Sequence, residues 1–190
     1  MDNKEIKKRM SKEDRRKQIL ESALNVFIEK GYNGATTQEI ANAADISEVT
    51  LFRHFSSKQE IFMEGIEPII VNTLKSSIIA SKELSPIEQF KYILIERVKL
   101  ISKNHGVIKL ILMESDVSDG LINLNYIDKV KSILKTMILD MGFDMKDEEL
   151  TLRLLMGGIL SFLYMPEVKE ENIEKFVEQI IPCIISSFKN

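Results

Sequence analysis

Apolar residues recur along this chain at the helical interval almost from end to end. Near the start they fall at Ile19, Leu20, Ala23, Leu24, Phe27 and Ile28, a stripe that predicts an amphipathic helix. Ser11 suits its N-cap, and Gly31 suits the left-handed position that ends it. Thr36 with Glu39 three residues on has the form of a capping box for a second, short helix buried through Ile40, Ala41 and Ala44. Asp45-Ile46 then makes a tight turn. Ser47 caps a third helix in which Leu51 and Phe55, four apart, share the inner face. From Lys58 a longer helix is predicted to about Lys82, bent or divided at Pro68. Ser85, Pro86 and Glu88 form a start signal for the next helix, which runs to about Asn104. Further helices are predicted over about 107–116, 119–141, 148–165 and 170–188, the last two separated by Pro166. No alternating strand pattern is present. The expected fold is therefore all-α, with about nine helices. An N-terminal three-helix domain is expected over 13–73, with a larger C-terminal domain over 74–190.

The short helices over about 36–55 have the plan of a helix-turn-helix. Small Ala41 sits where the two helices cross, Asp45 occupies the turn, and Leu51 fills the angle between them. With Leu51 and Phe55 inward, Val49 and Arg53 point to the far side, flanked by Thr50, Phe52 and His54. A recognition helix enters the DNA major groove by its N-terminal residues. Val49 and Thr50 suit a thymine methyl, and Arg53 a guanine or a phosphate. Glu48 either accepts from a cytosine amine or simply favours the positive helix N-terminus. Ser47, Thr37 and Lys58 are candidates for phosphates.

The run "DRRKQILESALNVFIEKGYNGATTQEIANAADISEVTLFRHFSSKQEIF", over about 13–62, resembles the DNA-binding domain of TetR-family transcriptional regulators. The resemblance lies in "ILESALNVFIEKGY", "TTQEIA" and the S-x-x-T-L-F-x-H-F-x-S-K spacing. It implies a sequence-specific, DNA-binding regulator, and family habit favours a repressor. It adds Arg16, a frequent basic position of the family, and a phosphate role for His54. Asp45 and Val49 stand where the family commonly has Gly, and Phe52 where it has Tyr. The missing hydroxyl removes one phosphate hydrogen bond, worth about 1 kcal/mol.

The last two predicted helices carry apolar residues on too many sides for an isolated surface helix. Leu152, Leu155, Met156 and Ile159 mark the first, and Phe176, Ile180 and Ile184 the second. Gly157-Gly158 would admit another helix closely. These positions fit an internal core, whereas the resemblance implies a four-helix homodimer interface. Two-fold symmetry would then offer two recognition helices to a near-palindromic, double-stranded operator. The resemblance also implies a small-molecule effector held among the middle helices. Phe90, Tyr92, Met113, Tyr126, Met137, Phe162 and Tyr164 are apolar candidates for that pocket, with Arg97 and Glu114 as polar ones. Release would be a population shift. About a hundredfold loss of operator affinity needs about 2.7 kcal/mol of differential binding.

Charge is distributed unevenly. Residues 4–17 hold eight Lys/Arg against three acids, in a chain of net charge −3. Only one end is therefore expected to meet an anionic partner. One cysteine and two histidines give no internal disulfide and no His/Cys zinc site. The charged start has no apolar h-region and no run is long enough to span a membrane, so a cytoplasmic protein is expected. No Ser-His-Asp set, phosphate-binding glycine loop or metal cluster is present, which argues against an enzyme, and no cofactor is expected. The alternative is a helical ligand-binding or scaffolding protein that does not use DNA.

Overall fold

The computed structural model describes residues 10–115 and 126–188, without the side chains of 113–115, 126 and 127. The chain divides into two compact units, after Gly65. The boundary drawn from sequence fell later, after residue 73. Residues 66–72 join the second unit because Ile70 packs on its apolar core.

The first unit holds α1 (Lys12–Gly34), α2 (Thr37–Ala43), α3 (Glu48–His54) and most of α4 (Lys58–Glu67). Ser11 caps α1 by accepting from the Asp14 N–H at 3.0 Å. At 100° per residue, buried Ile19, Ala23, Val26 and Phe27 span one narrow arc of α1. Ile28 lies directly opposite Ile19 on that wheel, and it is 44% exposed rather than buried as expected. Gly31 breaks the helix with φ 72°, as its place in the sequence predicts, although helical turns resume to Gly34. Phe27, Tyr32 and Phe62 form an aromatic cluster, with Phe62 edge-on to Phe27 at 5.1 Å and to Tyr32 at 4.9 Å.

The second unit begins at the end of α4 and continues through a π-helical segment, Pro68–Asn72, into α5 (Thr73–Ala80). Pro68 neither divides nor sharply interrupts the helix. Its ring sits at the first position of the π turn, where the Thr73 N–H reaches back to the Pro68 carbonyl. The wider turn absorbs the missing donor. After it come α6 (Pro86–Lys103), α7 (His105–Ser115), α8 (Tyr126–Asp140), α9 (Glu148–Ser161) and α10 (Glu170–Ile185). Glu88 accepts from the Ser85 N–H at 3.2 Å, so the expected start signal operates. The N-terminal part of the helix predicted from 119 lies outside the described residues. With α4, the π segment and α5 taken as one continuous helix, the described residues hold nine helices.

Helix α6 is central: α5, α9 and α10 all pack against it. Leu152, Leu155, Ile159 and Ile184 are buried in this chain's own core. As surface contacts for a second copy these four are corrected, because their stripe faces α6 and α10. Met156, Phe176 and Ile180 are half-buried against the same core. A Cβ on Gly158 would come 2.6 Å from Ile180 Cδ1, so Gly158 serves the α9–α10 crossing within one chain. Gly157 faces open space.

Candidate nucleic-acid interface

Three local capping arrangements set the geometry of the short helices. Thr36 Oγ1 accepts from the Glu39 N–H at 3.2 Å while the Glu39 carboxylate accepts from the Thr36 N–H at 3.0 Å. The same carboxylate binds the Lys30 ammonium at 2.6 Å. Lys30 and the two Thr36 contacts hold the Glu39 carboxyl at about 2, well below the usual range. Asp45 occupies the turn with φ 53°, a left-handed conformation that Asp tolerates better than most residues. Ser47 Oγ accepts from the Thr50 N–H at 3.2 Å and starts α3.

Leu51 and Phe55 are fully buried, so α3 turns its opposite side outward. Val49 is 66% exposed and Phe52 48% exposed, with Arg53 exposed beside them. Thr50 is half-buried, its hydroxyl 2.9 Å from that of exposed Ser47. This is the outward set that the sequence pattern predicts.

Other candidates have different work. The Thr37 hydroxyl donates to the Glu48 carboxylate, tying α2 to the start of α3. The Lys58 ammonium donates to the Tyr32 and Ala35 carbonyls, each at 2.9 Å, and lies 4.5 Å over the Tyr32 ring. The Arg16 guanidinium donates to the His54 carbonyl, binds Glu64 at 2.6 Å and covers the Phe55 ring. Lys58 and Arg16 therefore fasten helix ends together rather than standing out toward a phosphate. A basic residue near a helix end reads the same in sequence for either role. His54 is half-buried, and its Nδ1 has no partner among the described residues. Burial, then Arg16, Lys12 and Arg15, lower its pKa, so it favours the neutral ring over a phosphate-binding cation.

The second unit contains an internal cavity of about 100 Å³. Leu74, Leu100, Ile108, Leu134, Met156 and Ile159 contribute to its aliphatic wall, and Arg97 is its one charged lining residue. An open groove of about 740 Å³ adjoins it in lining, with Asn72, Thr73, Ser76, Lys103 and Arg97 among its walls. Of the pocket residues expected from sequence, Arg97 lines the cavity. Phe90, Met137 and Phe162 are buried core instead; Phe90 packs near Phe188, and Phe162 sits edge-on to Phe176 at 4.8 Å. Tyr92 lines the groove, and Tyr164 is exposed near Lys109. The side chains of Met113, Glu114 and Tyr126 lie outside the described residues. Aliphatic side chains on several helices make the cavity, and no single-helix signal marks it.

A further surface escaped the sequence reading. Leu150, Leu154 and Gly157 are exposed at i, i+4 and i+7 on α9, continued by half-buried Ser161. This narrow strip is separate from the buried one. Its helical spacing was the available signal, hidden beneath the stronger core pattern. Among the described residues no group of His, Cys, Asp and Glu could hold a metal ion, and no helix is long and apolar enough to cross a membrane.

Residues 19–64 match the family model of bacterial regulatory proteins, tetR family. The chain is 38% identical over 64 residues to the HTH-type transcriptional activator FasR of Mycolicibacterium smegmatis, covering 34% of this chain and 29% of that protein. It is 35% identical over 49 residues to IcaR of Staphylococcus epidermidis, the negative transcriptional regulator of the biofilm operon icaADBC, covering 26% of each chain. These matches thus span less than a third of the relatives' own length. The crystal structure of AibR in complex with isovaleryl coenzyme A and operator DNA superposes with a TM-score of 0.66 at 19% identity, covering 88% of this chain and 98% of AibR. At that identity the likeness is one of fold.

Proposed function

We infer that this chain, which belongs to the tetR family of bacterial regulatory proteins, acts as a homodimeric transcriptional regulator that binds a near-palindromic operator and is released by a small effector. One observation carries the reading. Helix α3 buries Leu51 and Phe55 and leaves Val49, Phe52 and Arg53 exposed, the arrangement a recognition helix needs to enter a major groove. The exposed N-terminal ends of α2 and α3 supply backbone donors for phosphates. Thr50 and Ser47 lie at the second of these ends.

The dimer is assigned to α9 and α10. The exposed strip of Leu150, Leu154 and Gly157 has no cover within the chain, and such a strip on a helix pair suits a self-complementary contact. The effector is assigned to the aliphatic cavity of the second unit. FasR is an activator and IcaR a negative regulator. Repression is the sign proposed here, and a reporter fused to the target promoter reads it directly.

A gel shift of the full chain on the DNA upstream of its own gene, against unrelated DNA of equal length, tests the reading. Wild type should prefer the upstream fragment. R53A should lose about tenfold or more of that preference while melting as wild type does, since an arginine–guanine contact is worth about 1–3 kcal/mol. Equal binding to both fragments, or an unaffected R53A, would overturn the reading.

A further inference from the structure

Arg97 is 8% exposed, yet no carboxylate pairs with it among the described residues. Its Nη1 donates to Thr73 Oγ1 at 3.0 Å and its Nη2 to Ser77 Oγ at 3.1 Å. Those hydroxyls in turn donate to the Ile69 and Thr73 carbonyls, so they meet the guanidinium with lone pairs. Both partners are neutral. The Nε–H has no acceptor at all. Neighbouring Glu96 is directed to Lys99, at 3.7 Å, and only raises the Arg97 pKa weakly against burial, which brings it to about 10. The side chain is therefore a cation at neutral pH.

A buried cation with an idle donor is costly unless something satisfies it. The remaining lining of the cavity is aliphatic, so no part of the wall can do so. A purely apolar ligand would fill the space and leave the charge unanswered. A cationic ligand would repel it. The volume of about 100 Å³ is somewhat below the roughly 150 Å³ that accepts a benzene-sized molecule, and suits a tail of about four to six carbons. Arg97 also lines the open polar groove, so a head group larger than a carboxylate has room beyond the guanidinium.

We propose that the cavity binds a short aliphatic chain carrying an acyl oxygen head, with Arg97 donating to that head. This deepens the effector reading and rests on it. The shared chemistry is a short acyl group, either as the free carboxylate or as an anionic thioester conjugate that extends into the groove.

Isothermal titration of the full-length wild type with hexanoate, hexanoyl coenzyme A, hexan-1-ol and hexylamine tests it. At least one acyl probe should bind about tenfold or more tightly than the alcohol, and the amine should not bind. Whichever acyl probe is tighter identifies the source. R97M should lose about tenfold for that probe and little for the alcohol, and R97K should recover part of the loss. Should R97M fail to fold, the four-probe comparison on wild type decides alone. Alcohol binding as tightly as either acyl probe, an unaffected R97M, or no binding by any probe would overturn the proposal. A gel shift on the same preparation keeps the outcomes apart: retained operator binding leaves the regulator reading standing even when the acyl class fails.

Discussion

The Arg16 guanidinium carbon lies 4.0 Å from the centre of the Phe55 ring, on the residue that closes the recognition helix. The same group donates to the His54 carbonyl, one of the acceptors that a helix C-terminus leaves without an intrahelical partner. Glu64 on α4 holds it from the other side. Arg16 thus anchors the exit of α3 to α1 and α4. R16M should lower stability by about 1–2 kcal/mol, from a lost charge-assisted hydrogen bond and cation–π contact. Urea melts followed by circular dichroism would show it. A melt identical to wild type would mean that Arg16 is free to serve DNA instead.

Glu48 and Thr37 form a comparable tie between α2 and α3. E48Q keeps an acceptor for the Thr37 hydroxyl and removes a negative charge from the proposed DNA face. Its affinity for DNA of any sequence should rise roughly threefold to tenfold at fixed salt, because phosphate repulsion is relieved. T37V should instead lower the melting stability by about 1 kcal/mol. Gel shifts with unrelated DNA and thermal melts separate the two effects.

Glu39 gives the first unit a pH dependence. Its folded pKa, about 2, lies below the ordinary 4.5 because Lys30 and Thr36 bind the ionised form. A depressed carboxyl pKa contributes stability that is fully present above the unfolded value and is lost as pH falls through the folded one. E39Q retains a capping acceptor and loses the ion pair. It should melt below wild type at pH 7, and the difference should close between about pH 4.5 and pH 2. A gap that persists at pH 2 would point to the cap rather than the charge.

Leu154 tests the dimer. It is exposed on α9 and has no part in the chain's buried core. L154E should leave the helical content intact and shift the protein toward monomer in sedimentation velocity at micromolar concentration. Operator affinity should fall with it, since one reading head engages only one half-site. An unchanged sedimentation coefficient would place the interface elsewhere.

Features fixed within a few residues were legible in the sequence. The Thr36–Glu39 and Ser85–Glu88 boxes, the Ser47 cap and the left-handed Asp45 each depend on local spacing alone. The inward Leu51–Phe55 pair was legible for the same reason. What depends on distant packing was not. Leu152, Leu155, Ile159 and Ile184 are apolar whether they face α6 or a second chain, and periodicity cannot tell the two apart. Arg97 was a candidate by residue type, but its idle Nε–H follows from neighbours on another helix. Phe90, Met137 and Phe162 were candidates by size, and size is equally a property of core.

The π turn at Pro68–Asn72 holds one residue more than an α-helix would use for the same ladder. Remove any one of those residues and the backbone could close into an unbroken α-helix, keeping its hydrogen bonds. Thr73, Leu74 and Ser77 would then swing together by about 100° around the axis relative to the turns before them. Arg97 would lose both hydroxyls that now hold it, and the cavity would lose one of its walls. The chemical character of that chamber is thus set by a surplus residue in the backbone as much as by the side chains that line it.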